Sequence, residues 1–183
     1  MRKQTELPDA QRLLDEVLVL GIRTGDRLAA EHLARRWRPR LMRTARRLLG
    51  DTDQIQDVVQ ESWVSIARSL PRLRDPARFA PWAYGILQRR CIDLLRRQYR
   101  EGDSTETLHD ADGAVVVSNA ERSDISSAFE TLPYPLRVTA TLFYSEGLTL
   151  HEISHATAVP VGTAKSRLFY ARKQLRHYLD GES

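Results

Sequence analysis

His151, Glu152 and His155 stand at H-E-x-x-H spacing. Two histidines four apart share one face of a helix and can ligate one zinc ion, and the glutamate between them can act as a general base. That chemistry also needs a third protein ligand and a supporting sheet. No period-two strand is visible upstream, and the short run Val115–Val117 lies in an acidic connector. Downstream of His155 the ordinary candidates are His177, Asp180 and Glu182, and the longer H-x-x-G-x-x-H extension is absent. Glu152 has a local role instead. It follows Thr149 by three residues, which is a capping box at a helix start. Leu150 and Ile153 make the buried stripe of that helix, which leaves His151, Glu152 and His155 on the solvent side. The expectation is no metal, no cofactor and no catalytic residue.

The next constellation lies just beyond. A short helix from Leu150 to about Thr157, a turn at Ala158-Val159-Pro160 and a longer helix to about Leu179 make a helix-turn-helix. In that motif the second helix enters the DNA major groove and the first braces it. At 100° per residue, Ala164, Leu168, Ala171 and Leu175 share the core side. Lys165, Ser166, Phe169, Tyr170 and Lys173 lie opposite. A merely solvated face needs no phenylalanine, whereas a lysine-flanked Phe169 suits thymine methyls, base edges and phosphates together. Gly162 and Thr163 at the helix start allow close approach to a phosphate.

A third constellation is DVVQESW, Asp57 to Trp63. Val59 and Trp63 face inward. Asp57, Gln60, Glu61 and Val64 form an outward ridge of acid and amide. Such a ridge repels DNA and suits a protein partner.

These groups are carried by helices throughout. Ala29, Leu33 and Trp37 recur at i, i+4, i+8 and end near Pro39; Leu41, Ala45, Leu48 and Leu49 form a second stripe closed by Gly50. Asp51 and Asp53 offer N-caps for a helix that buries Val59, Trp63, Ile66 and Leu70 and stops at Pro71. Asp75-Pro76 opens another, burying Phe79, Trp82, Ala83, Ile86, Leu87 and Leu94. Helices resume near Ser123 or Asp124, break at Pro133-Tyr-Pro135, and run again from Leu136 to Glu146 before Gly147.

Charge divides the 183 residues into three blocks. Residues 1–100 carry 21 Lys+Arg against 12 Asp+Glu. Residues 101–121 carry six acids, no base, Gly102 and Gly113, and read as a flexible linker. Residues 122–183 are near neutral, with seven bases and six acids. The predicted fold is all-α: two small helical domains, 1–100 and 122–183, joined by a flexible acidic linker at 101–121, the second domain with a helix-turn-helix. The basic block favours a polyanion partner. The N-terminal stretch has no apolar core of a signal peptide, no run is long enough to span a membrane, and Cys91 is the single cysteine. Together these point to a reducing, cytoplasmic setting.

The motifs DVVQESW, RFAPWAYGILQRRCIDLLRR (Arg78 to Arg97), GLTLHEIS (Gly147 to Ser154) and VPVGTAKSRLFYAR (Val159 to Arg172) resemble, in order and spacing, those of the small two-domain extracytoplasmic-function (ECF) sigma factors. The resemblance covers most of the chain and implies core RNA polymerase, promoter DNA and an anti-sigma factor as partners. It implies that Asp57, Gln60, Glu61 and Val64 dock on the clamp helices of the polymerase's largest subunit. It places the melted −10 element along Leu73 to Arg97, with Leu73, Arg74, Tyr84, Arg89, Arg96 and Arg97 as the contacting set and Arg100 extending the basic track. Melted strands need such aromatic surfaces and a basic groove. Phe79 and Trp82 lie on the buried stripe and read as core. Arg89 and Arg97 each stand four residues from Asp93, so part of the charge can pair internally. The resemblance assigns duplex −35 reading to Thr163, Lys165, Ser166, Arg167, Phe169, Tyr170 and Lys173.

The chain departs from the family pattern at four of these positions. Arg89 replaces a usual asparagine that helps hold an extruded base. Thr157 replaces a core leucine, Ala158 a turn glycine, and Tyr170 a frequent arginine. The departures at Thr157, Ala158 and Arg89 motivate one alternative: a sigma mimic that binds an anti-sigma factor without recognising promoters. An ordinary helix-turn-helix repressor is a third reading, and the acidic ridge speaks against it.

Overall fold

The structure, a computed structural model, describes residues 9–101 and 124–180. The described residues form helices and no strand: α1 (Asp9–Arg23), α2 (Arg27–Leu49), α3 (Ile55–Ser69), α4 (Phe79–Glu101), α5 (Asp124–Glu130), α6 (Tyr134–Ala140), α7 (Leu150–Thr157) and α8 (Val161–Asp180). The acidic connector, with Val115–Val117, lies outside the described residues.

In α2 the i, i+4 stripe runs unbroken through Ala29, Leu33, Trp37, Leu41 and Ala45 to Leu48. This corrects the expectation of two helices parted at Pro39. A proline inside a helix costs ~3 kcal/mol, mainly through a lost backbone bond and a clash one turn back. Pro39 lies on the exposed face, where water can reach that carbonyl, and burial of the continuous stripe offsets the cost. Asp26 caps the helix start, accepting from the Leu28 and Ala29 amides at 2.8 and 3.2 Å, and Gly50 at φ 72° ends it.

Helix α3 begins later than the expected caps at Asp51 and Asp53. Gln54 occupies the N-cap of α3 and makes no side-chain capping bond. Asp75 does cap its turn, accepting from the Ala77 amide at 3.1 Å, and a short 3-10 turn (Pro76–Arg78) leads into α4. The expected break at Pro133-Tyr-Pro135 is narrower than the sequence suggests. Pro133 is the N-cap, and Tyr134 and Pro135 already lie in the first turn of α6, where a proline loses no helical bond. α6 then widens into a π-helical turn, Thr141–Ser145, before Gly147 at φ 68°.

Helix α1 is an element the apolar stripes did not single out. It packs on α2 through Val19, Leu18 and Ile22, and buries Asp15 against Arg36 at 2.8 Å. Trp37 is the centre of the first core. Phe79 meets its ring edge-on at 4.9 Å, Tyr84 is tilted at 5.3 Å, and the Arg40 guanidinium sits 4.5 Å from its centroid. The core does not stop at the connector: Val138, Leu142, Leu148, Ile153, Ala156 and Ala164 join the cluster built on α2, α3 and α4. Helix α7 lies against α4 closely enough that a Cβ on Gly85 would meet the Ala156 carbonyl oxygen at 2.9 Å.

Candidate functional site

The helix-turn-helix starts with the capping box that the sequence predicts. The Thr149 hydroxyl accepts from the Glu152 amide at 3.3 Å, and the Glu152 carboxylate accepts from the Thr149 amide at 2.8 Å. The same carboxylate also accepts two bonds from Arg12 of α1, at 2.8 and 3.2 Å. Glu152 is therefore half-buried, not on the open solvent side. Burial on its own would raise its pKa. The Thr149 amide, the Arg12 guanidinium and the Thr149 hydroxyl outweigh that, and the carboxyl sits below its ordinary range. An engaged anion of this kind is no free general base. His151 and His155 are exposed, and among the described residues no three His, Cys, Asp or Glu side chains converge as a metal-binding group.

The turn after α7 is one that favours glycine, the residue that Ala158 replaces in the family pattern. Ala158 adopts the left-handed conformation, φ 54° and ψ 37°, the one non-glycine residue with positive φ among those described. The Val159 amide bonds back to Ser154, and the Ser154 hydroxyl donates to the Val159 carbonyl at 2.6 Å, so the turn is held from both sides. Thr157, in place of a core leucine, donates its hydroxyl to the Ile153 carbonyl at 2.6 Å and is only half-buried.

Helix α8 divides its faces sharply. Ala164, Leu168 and Ala171 are buried, and Leu175 is partly so. Lys165, Ser166 and Lys173 are exposed, and Phe169 and Tyr170 are 64% and 54% exposed. The two rings support each other edge to face at 5.5 Å. Thr163 and Arg167 flank this face half-buried. A single surface thus carries two large aromatic rings, two ammonium groups and a hydroxyl.

The α3 ridge is exposed along its length: Asp57, Gln60, Glu61 and Val64 all face solvent, while Val58, Val59 and Ser62 are buried beneath. Glu61 lies 3.8 Å from Arg90, a loose surface pair. Beside the ridge, a groove between α2 and α3 of about 580 Å³ is floored by Pro39, Met42 and Val59 and rimmed by Arg35, Arg38, Gln56 and Gln60. The sequence reading did not assign Arg35, Arg38 or Met42 to the site, because the stripe rule marks only what a helix buries.

The α4 set is brought together only in part. Arg74, Arg89, Arg96, Arg97 and Arg100 are exposed. No ion pair joins Asp93 to Arg89 or Arg97 among the described residues, so the expected internal pairing is not formed and these charges remain available. Leu73 is 9% exposed and Tyr84 1%, and Phe79 is buried with them. The structure thus places Tyr84 in the core, its hydroxyl donating to Glu146 in the turn before α7. It is the resemblance, not helical period, that places Tyr84 among the −10 contacts. Trp37 of α2 and Glu146 of the second helical block both cover it, and helical period reveals neither.

Comparison with known proteins agrees with this geometry. Residues 33–101 match the Sigma-70 region 2 family and residues 141–177 match Sigma-70, region 4. The ECF RNA polymerase sigma-E factor of Haemophilus influenzae is 31% identical, covering 92% of this chain and 96% of that relative. The sigma-E factor of Salmonella typhimurium is 30% identical over 91% of this chain and 94% of its own. Among solved structures, CnrH in complex with the cytosolic domain of CnrY superposes with TM-score 0.68 at 21% identity, covering 93% of this chain and 99% of that one. The sigma factor RpoE in complex with the anti-sigma factor NepR from Bartonella quintana also gives 0.68, at 20% identity over 84% and 98%. With a match to both sigma-70 regions and sigma-E relatives spanning almost its whole length, this chain belongs to the ECF sigma factors.

Proposed function

We propose that the chain is a promoter-specificity subunit that binds core RNA polymerase, directs it to particular promoters and assists their melting. The observation that carries this is the α8 face, where Phe169 and Tyr170 project into solvent between Lys165 and Lys173 over a fully packed inner side. Exposed rings cost solvation unless a partner covers them, and thymine methyls with flanking phosphates are such a partner. Thr163, Ser166 and Arg167 complete the duplex-reading set. The α3 ridge of Asp57, Gln60, Glu61 and Val64 is the polymerase-docking surface: its charge is wrong for DNA and its exposure fits a protein. Arg74, Arg89, Arg96 and Arg97 hold the backbone of the melted strand.

The chain supplies recognition, not bond chemistry. It acts beside polymerase in the cytoplasm, and no described helix is long and apolar enough to cross a membrane. A solved neighbour bound to an anti-sigma factor supports a regulator of that class for this chain.

Reconstitution tests the reading. Purified protein, core polymerase and promoter DNA should give a promoter-specific transcript and a footprint over both elements. Binding should weaken steeply with salt, since phosphate contacts release counterions. A chain that binds an anti-sigma factor yet yields neither footprint nor transcript would be a mimic, and the proposal would be lost.

A further inference from the structure

Phe169 and Tyr170 are neighbours in sequence, yet they belong to two different rows of α8. Positions four apart on a helix share a row. One row is Lys165, Phe169 and Lys173, and the next is Ser166, Tyr170 and Gln174. All six side chains are exposed. The first row sets its ring between two ammonium groups. The second carries no formal charge, and its Ser166 hydroxyl is turned back on the helix, donating to the Thr163 carbonyl at 3.0 Å. The two rings bridge the rows edge to face, with centroids 5.5 Å apart and planes at 78°. Such a contact favours one relative orientation of the rings. Successive base pairs rise roughly 3.4 Å, so the ring spacing exceeds one base step and falls short of two. Rings held at that spacing meet neighbouring base pairs.

We propose that Tyr170 sets a base preference in the −35 element: with Phe169 it forms a fixed pair of rings that receives the C5 methyl groups of two consecutive thymines. This rests on the duplex reading by α8 proposed above. The chemistry follows from what a phenol lacks. An arginine, frequent at this position in the family, bonds guanine O6 and N7 together and so selects a G·C pair. A tyrosine has one hydroxyl, which both donates and accepts. It bonds guanine O6 and adenine N6 alike and separates neither. Only the ring is left to discriminate, and the group that a ring distinguishes is the thymine methyl, which cytosine lacks. The Tyr170 row holds no cation to turn it toward phosphate, while Lys165 and Lys173 hold the backbone from the other row. The chain therefore exchanges a guanine preference for a thymine preference at one position. A cytosine methylated at C5 presents the same group in the same place, so the rings accept it as they accept thymine.

The test uses the full chain assembled with core polymerase, on duplex promoters varied base by base across the −35 element. The parent should prefer two consecutive T·A pairs. Uracil in place of either thymine removes one methyl and nothing else. It should weaken binding about fourfold at each position, and 5-methylcytosine should bind about fourfold better than cytosine there. Tyr170→Phe, which lacks the hydroxyl, should keep the preference. Tyr170→Arg should move one of the two positions to G·C by about tenfold and lose the uracil effect at that position alone. Tyr170 is 54% exposed, so both variants should melt as the parent does, and the uracil series needs no variant at all. Uracil binding as well as thymine at both positions would overturn the proposal. So would an unchanged base preference in folded Tyr170→Arg, or a preference lost in Tyr170→Phe, which would put the selection on the hydroxyl. A parent holoenzyme that binds every −35 variant alike would remove the promoter reading and this proposal together. Sequence-selective binding without methyl dependence removes this proposal alone.

Discussion

Arg12 and Glu152 pair across 140 positions of sequence, the guanidinium giving both of its bonds to one carboxylate at 2.8 and 3.2 Å. The pair ties α1 to the bracing helix of the helix-turn-helix, while Glu152 also closes its own capping box. The Glu152 pKa lies below its ordinary range in the folded chain. A depressed carboxylate contributes stability that is fully present above its unfolded pKa, roughly 4.3, and is lost as pH falls through the folded value. Glu152→Gln keeps a side chain that can complete the box and removes only the charge. It should cost about 1 kcal/mol at pH 7, and the gap to wild type should close in acid. Urea melts at pH 7 and pH 3 measure this, and an equal gap at both values would refute the assignment. Glu152→Ala loses the cap as well and should cost about 1 kcal/mol more.

Ala158 offers a change in the opposite direction. A Cβ in the left-handed region costs roughly 1–2 kcal/mol, while glycine gives back up to about 1 kcal/mol through the entropy of its unfolded chain. Ala158→Gly should therefore raise stability by about 0.5–1 kcal/mol with an unchanged denaturant slope. A lowered midpoint would mean that the Ser154–Val159 bonds already relieve the turn.

The sequence made some of this legible and hid the rest for physical reasons. The capping box, the positive-φ turn and the two faces of α8 are local. Each is set by residues within one or two turns, so Thr149, Ala158 and Phe169 could be read directly. Pro39 was misread because a local breaker was weighed without the stripe that runs through it. Tyr84 and Glu146 could not be read at all. Their environment is made by residues 62 positions apart, and helical period reports which side a residue faces, not what later covers that side. Helix α1 went unread because its outer face is apolar too: Leu13, Val17 and Leu20 are exposed and blur the stripe.

The α3 ridge should be separable from folding. Asp57 is exposed and makes no ion pair among the described residues, so Asp57→Arg should change stability by less than about 0.5 kcal/mol. Charge reversal at a complementary interface should lower affinity for core polymerase tenfold or more. Competition against a labelled sigma factor for core polymerase reads this out. Unchanged competition would move the docking surface elsewhere, with the Arg35–Met42 groove as the next place to probe.

The outer face of α8 distinguishes reading from holding. Lys173 is exposed and suited to phosphate, so Lys173→Ala should weaken polymerase-dependent binding about equally on matched and mismatched −35 sequences and reduce the salt slope by about 1. Phe169 is suited to a base edge. Phe169→Ala should leave that slope alone and cost about 1–3 kcal/mol on the preferred −35 sequence, with little loss on others. Its ring is 64% exposed and packs mainly on Tyr170, so melting should shift little. Binding titrations of the assembled holoenzyme at several salt concentrations, on promoters varied base by base, give both quantities. If Phe169→Ala instead destabilises the fold by more than about 2 kcal/mol and loses all sequences alike, the ring is structural and the reading face must lie elsewhere on α8.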